Sequence, residues 1–391
     1  MRIASRFRLS CLIVILIGIC ASGVAFAGSK PHYVITNDDV PPSLISSVSF
    51  FTVAPSGLLT FKTKVLIGDG GIAGGYFAAN RVNVLDSGNA QCVYASVAQS
   101  GEIEGIGIKT LKVEGHAVGS GNDTGAANGV GLAMNAQYLY ASFTDHSTIG
   151  TFNVLSGCGI KFVSDISVSG LQGGTIDGMV IHGNIMVVTY GDGSIESFDI
   201  SGGVPVSNGD KQNSTGSRRG NTYPSGVDIT QDGHFAIFGD TSPFTVVEVS
   251  DISSGKLTPT VVYGLGKELN SSNVFLSPDE TLLYITNNQS GTVTAAFFDK
   301  GTGKLSKGCV TRPLKGFVKD WSYVASLALE QTTGTGGVLY VAEYGAPSSI
   351  AEISVKSSGG KCTLTESPKS PALDPNSPGL LSIGAFPPRP F

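Results

Sequence analysis

The chain has 391 residues, of which 53 are glycine, 41% are hydrophobic and 14% are charged, with a formal net charge of −5. Hydrophobic content this high excludes a disordered solvating chain, and glycine without a three-residue period excludes a collagen-like helix. Little charge and much glycine argue against a helical bundle and for strands joined by many tight turns.

Residues 1–27 read as a secretory signal peptide. Arg2, Arg6 and Arg8 supply a positive start, residues 12–19 a short apolar stretch, and Ala25, Phe26 and Ala27 a small-x-small cleavage site. The apolar stretch is short for a membrane span, and no later run is long enough to cross a bilayer. The expectation is a leader over 1–27, a single domain over 28–391, and a secreted or periplasmic location. Loss of the three arginines takes the net charge from −5 to −8, which leaves no electrostatic footprint for nucleic acid. Cys11 and Cys20 leave with the leader. Cys92, Cys158, Cys309 and Cys362 remain, an even number that suits two disulfides in an exported chain. Four cysteines allow three pairings, and closeness along the chain favours Cys92–Cys158 and Cys309–Cys362.

Beyond the leader, one grammar recurs. An apolar strand phrase begins at Tyr33 and returns around Tyr94, Tyr140, Val187, Ile237, Tyr284 and Tyr340, at intervals near 50 residues when Val34 is taken as the first copy. The fullest copy runs over residues 273–305. It reads as a first strand, a turn at Pro278 and Asp279, a second strand, a turn at Ser290 and Gly291, a third strand, a turn at Gly303 and a fourth strand. That is one four-stranded antiparallel meander. Seven copies of it predict an all-β fold, a seven-bladed β-propeller. The first copy lacks a first strand ahead of Tyr33, whereas residues 378–383 repeat the first-strand phrase of residues 224–229. The C-terminal strand is therefore expected to complete blade one and close the ring, which leaves no open sheet edge between the chain ends.

The phrase Tyr284, Ile285, Thr286, Asn287, followed by Ser290, Gly291, Thr292 and Val293, resembles the YVTN repeat of seven-bladed propellers. Those repeats are shared with the lactonase-like group, which includes 6-phosphogluconolactonase and muconate-lactonizing relatives. The resemblance implies the propeller scaffold and opens lactone hydrolysis as an activity. The Asp-Leu-Gly-x-Asp stretch that the resemblance would bring with a lactonase site does not occur here, and the five histidines are scattered, so no catalytic residue carries over.

On a propeller, turns after the second strands and links between blades share one face, where a ligand site is expected. Asp38, Asp39, Asp145, Asp192, Asp240 and Glu343 fall on that face with Asn37, Tyr190 and Asn287. An acid ring of this kind suits a hard divalent cation such as Ca²⁺, although Asp and Asn are also ordinary turn formers. No other cofactor is expected. Residues 119–125 are oxygen-rich but lack the full calcium-loop pattern. Arg218 in a polar insertion could clamp an anion, and Trp321 could stack against a sugar or aromatic ligand. His146 beside Asp145 is the one histidine in a turn of this face and stands as the weak candidate for acid–base work. The favoured expectation is an extracytoplasmic binding or interaction scaffold for a small molecule, sugar or protein on the loop face. Lactone hydrolysis is the alternative, and a structural surface protein the third reading.

Overall fold

The computed structural model describes residues 32–38, 40, 44–68, 80–87, 90–119, 130–143, 147–216, 224–241, 244–317, 323–329, 336–344, 348–374 and 380–388. Every regular element among them is a strand, and the strands form seven antiparallel sheets. Blade 1 runs Leu380–Phe386, Tyr33–Asp38, Ser46–Val53, Leu59–Gly68, from the centre outward. Blade 2 is Val82–Asp86, Gln91–Val97, Glu102–Gly107, Lys112–Val118, and blade 3 is Val130–Met134, Tyr138–Phe143, Thr148–Val154, Ile160–Ser167. Blade 4 is Ile176–His182, Ile185–Tyr190, Ser194–Asp199 and an outer strand in two pieces, Val206–Ser207 and Gln212–Asn213. Blade 5 is Pro224–Ile229, Phe235–Asp240, Thr245–Asp251, Val261–Gly266, and blade 6 is Ser271–Leu276, Leu282–Asn287, Thr292–Asp299, Lys304–Val310. Blade 7 is Tyr323–Leu329, Gly336–Tyr344, Ser349–Ser358, Lys361–Glu366, with Ala372–Leu373 added at its rim.

The ring closes as the sequence requires. Leu380–Phe386 pairs antiparallel with Tyr33–Asp38, with Tyr33 opposite Phe386. The same C-terminal strand touches the first strands of blades 7 and 2, so the first strands form an unbroken circuit. Hydroxyls tie that circuit together. Ser96 Oγ donates to the Val130 carbonyl at 2.7 Å, Thr189 Oγ1 to Ser225 at 2.8 Å, and Ser225 Oγ to Ser272 at 3.0 Å, each from one blade to the next.

The core is divided between the blades. Seven clusters of buried apolar side chains occupy the seven blade–blade interfaces, so each sheet is buried on both faces. This is why the second strands read as continuous apolar runs rather than alternating ones. Each fully buried Val, Ile, Leu or Phe contributes about 1.5–3 kcal/mol by removal from water. The repeated tyrosine has a specific place in this packing. Tyr94, Tyr140, Tyr284 and Tyr340 all face the following blade. Tyr140 donates its hydroxyl to the Gly203 carbonyl and Tyr340 to that of Gly57, both at 2.8 Å. Each acceptor lies in the turn between third and fourth strands of the next blade, at a φ of +86° for Gly203 and +80° for Gly57. In blade 1 the forward-facing position is Ile35, whereas Val34 faces back towards blade 7. The first repeat is therefore in phase one residue later than the sequence comparison through Val34 places it.

Two disulfides join neighbouring blades. Cys92 of blade 2 is bonded to Cys158 in the turn before the last strand of blade 3, and Cys309 of blade 6 to Cys362 of blade 7. These are the pairs that chain proximity favours. Cys158 sits at a φ of +59°, and its carbonyl packs into a flat spot on blade 2 made by Gly105 and Gly115, which face each other across two strands. A Cβ at either glycine would overlap that carbonyl. Among the described residues, no helix is long and apolar enough to cross a membrane.

Candidate functional site

Three residues beyond the repeated tyrosine position, at or next to the end of each second strand, stand Asp38, Val97, Phe143, Tyr190, Asp240, Asn287 and Glu343, and all seven are buried. In blades 2 to 4 the position is apolar or aromatic and packs against the preceding blade. In blades 5, 6, 7 and 1 it is polar, and a polar group at such a place must be hydrogen-bonded to offset its desolvation.

The structure shows how this is done. Asp38 accepts hydrogen bonds from Thr36 Oγ1 (2.7 Å), Ser47 Oγ (2.7 Å) and Ser49 Oγ (2.6 Å). Burial pushes its carboxyl well above the usual range, and the nearby carboxylate of Asp374 adds to the effect. Asn287 donates to Thr292 Oγ1 and Thr294 Oγ1 and accepts from Thr245 Oγ1 of the preceding blade. Glu343 accepts from Ser349 Oγ at 2.8 Å and from the Gly316 amide in the link from blade 6. Burial raises its pKa to about 7, and the charge of Glu366 contributes. Asp240 is buried in the same register position.

Asp192 serves the link that enters blade 4. Its carboxylate accepts from the amides of Gln172 (2.7 Å), Gly174 (3.1 Å) and Ser194 (3.0 Å) and from the Ser194 hydroxyl. Burial alone would raise its pKa, but these hydrogen bonds outweigh burial and hold it below the ordinary value. Asp38, Asn287 and Glu343 are thus each held by their own blade or by the residues that precede it, and Asp192 by its own turn and the link before it. Asp39, Asp145, His146, Arg218 and Trp321 lie outside the described residues, as does most of the 119–125 segment. Among the described residues, no group of three or more His, Cys, Asp or Glu could hold a metal ion.

One acid escaped the sequence reading. Asp177 is the extra residue of a bulge in the first strand of blade 4, between the pairs Ile176–Tyr190 and Gly178–Thr189. The bulge recurs in blade 5 between Pro224 and Val227, so Asp177 stands where that blade has Ser225. Among the described residues its carboxylate takes no hydrogen bond. Burial raises its pKa to about 7, with the charge of Asp192 adding to the rise. Its neighbourhood is the inner end of the blade, where first strands approach closely; a Cβ at Gly178 would overlap the Ser225 carbonyl. Arg81, only 1% exposed, enters blade 2 at the same level, with its amide donating to Ser382 Oγ at 2.8 Å. Asp177 was legible only as an acid in the small-residue slot of the first-strand phrase. Arg81 had no periodic signal at all.

The lactonase, seven-bladed β-propeller family profile matches residues 93–375. A sequence comparison with curated proteins finds no match. Several solved structures share the fold. A putative 6-phosphogluconolactonase from Bacteroides uniformis aligns with a TM-score of 0.67 at 12% identity, covering 91% of this chain and 99% of its own. One from Bacteroides fragilis gives 0.65 at 14% identity, with 92% and 99% covered. The periplasmic gluconolactonase of Pseudomonas aeruginosa gives 0.66 at 10% identity, with 90% and 99% covered. Identities this low carry the architecture, and the profile match carries the membership. The chain belongs to the seven-bladed β-propeller lactonase family.

Proposed function

We infer that this chain is exported and binds a small polar ligand at the inner end of blade 4, beside Asp177. The observation that carries this reading is a carboxyl group set among the converging first strands with no hydrogen bond among the described residues, next to the fully hydrogen-bonded Asp192. A half-buried, desolvated carboxyl left without such a partner is a candidate ligand-binding position. Export is supported by the leader-like residues 1–27 and by two disulfides, which persist in oxidising compartments.

A thermal-shift screen of sugars, organic acids, lactones and Ca²⁺ tests the binding role, since a ligand of the native state raises the midpoint. At least one compound is expected to raise it, and Asp177→Asn is expected to abolish that rise. A screen in which nothing moves the midpoint, or in which Asp177→Asn responds like the parent, defeats the reading.

Lactone hydrolysis is the second reading, favoured by the same residue. A carboxyl that titrates near neutrality can take a proton from water attacking a lactone carbonyl. Activity on a lactone panel should then rise through about pH 7 and fall roughly 100-fold or more in Asp177→Asn. No rate above buffer on any lactone, with or without divalent metal, removes this reading and leaves the binding role standing.

A further inference from the structure

Blades 4 and 7 each have an outer strand in two pieces, and in blade 4 the interruption creates a groove. Val206–Ser207 and Gln212–Asn213 both pair with Ser194–Asp199, and the chain between them leaves the ladder. Asp210 takes over the missing backbone pairing. Its Oδ1 accepts from the Ser197 amide at 2.9 Å, and its Oδ2 accepts from Ser197 Oγ and from the Leu257 amide of the next blade. Gly209, at a φ of +69°, lets the chain turn there.

The detour carries Lys211 towards blade 3. Lys211 Nζ donates to the Ser169 carbonyl at 2.6 Å and pairs with Glu196 Oε2 at 3.1 Å. Glu196 is buried and engaged at both oxygens, since Tyr190 OH donates to Oε2 (2.8 Å) and Ser207 Oγ to Oε1 (2.6 Å). An ammonium has three N–H donors, so Lys211 keeps one that neither oxygen uses, and its side chain is 27% exposed.

Between this segment and the end of the outer strand of blade 3 lies a groove of about 640 Å³, within the range of small-molecule sites. Val168, Phe198 and Pro205 line it with apolar surface. Ser147, Ser167 and Ser169 line it too, and among the described residues their hydroxyls make no protein hydrogen bond. The groove thus offers one cationic donor, three free hydroxyls and an acid whose two oxygens each already accept a hydrogen bond from the protein. We propose that this lateral groove between blades 3 and 4 binds a small polyhydroxylated carboxylate, with Lys211 on the carboxylate and the three serines on the hydroxyls. The site is separate from the one beside Asp177 and does not depend on it.

Calorimetry on the full disulfide-bonded protein with gluconate, sorbitol and acetate tests the assignment. Gluconate carries both recognised groups, sorbitol only hydroxyls and acetate only the carboxylate. Gluconate is expected to bind at least tenfold more tightly than either. Ser167→Trp fills the groove from an exposed position and should abolish binding. Ser147→Ala combined with Ser167→Ala should weaken it severalfold without touching the Lys211–Glu196 pair. Asp177→Asn should leave it unchanged. The proposal is overturned if gluconate does not bind, if acetate or sorbitol binds as well as gluconate, or if folded Ser167→Trp binds like the parent.

Discussion

Removing the Cys92–Cys158 disulfide tests how much of the fold's stability comes from fastening blade 2 to blade 3. The two residues are 66 apart in sequence, and both are buried, at 0% and 3% exposure. Cross-linking a loop of that length lowers the entropy of the unfolded chain by an amount worth about 4 kcal/mol near room temperature, on the chain-entropy account. Unfolding a domain of roughly 360 residues carries an entropy of about 0.75 kcal/mol/K, so the loss should lower the melting midpoint by about 5 °C. The assay is differential scanning calorimetry of the parent and of Cys92→Ala/Cys158→Ala, each with and without reductant. The double variant should melt about 5 °C below the oxidised parent, and reductant should lower it further through Cys309–Cys362, whose 53-residue separation gives a similar contribution. A double variant melting within about 1 °C of the parent would refute the reasoning, since the packing of the Cys158 turn would then suffice by itself.

The flat spot under that turn makes a second prediction. Gly105→Ala or Gly115→Ala forces a Cβ onto the Cys158 carbonyl and should cost about 2 kcal/mol or more, whereas Gly157→Ala, with open space around it, costs only its strained backbone, about 1 kcal/mol; chemical denaturation of the three variants orders them. Tyr140→Phe and Tyr340→Phe each leave a glycine carbonyl of the next blade unpaired and should cost about 1–2 kcal/mol by the same measurement. Stability should also fall from pH 5 to pH 8. Glu343 has its carboxyl raised from 4.5 to about 7, so its contribution is full below 4.5 and is lost as pH rises through 7. That span is on the order of 3 kcal/mol, and Asp177, raised to about 7, adds a fall of the same sign; Glu343→Gln should therefore lessen the slope of the denaturation midpoint against pH without abolishing it, and an unchanged slope would show that Glu343 does not contribute. Expression of the full chain in a secreting host should yield a mature N-terminus at Gly28, read by terminal sequencing; retention of residues 1–27 would exclude the leader.

The site was far less legible than the fold. Asp38, Asp240, Asn287 and Glu343 were recognisable as strand-end residues on the loop face, and they do occupy equivalent positions. Their sequence neighbours could not show what holds them, because Asn287 is bonded by Thr245 of the preceding blade and Glu343 by the Gly316 amide in the link before its own blade. Asp192 looked like a turn residue and does hold its own turn through Ser194, but two of the three amides it binds belong to the link 18 to 20 residues earlier. The Lys211–Glu196 pair had no local pattern, since it depends on an interrupted strand that only the detour through Asp210 explains.

Sequence alone determined the number of blades, the closure by the C-terminal strand and the preferred cysteine pairs. Each of these rests on periodicity or chain proximity, which are properties of order along one dimension. Tertiary structure alone decided which acids are occupied by neighbours and which is left over, and where a groove opens between blades. Burial and hydrogen bonding are set by what packs across an interface, and in a propeller that partner usually belongs to another repeat, some 50 residues away in the chain.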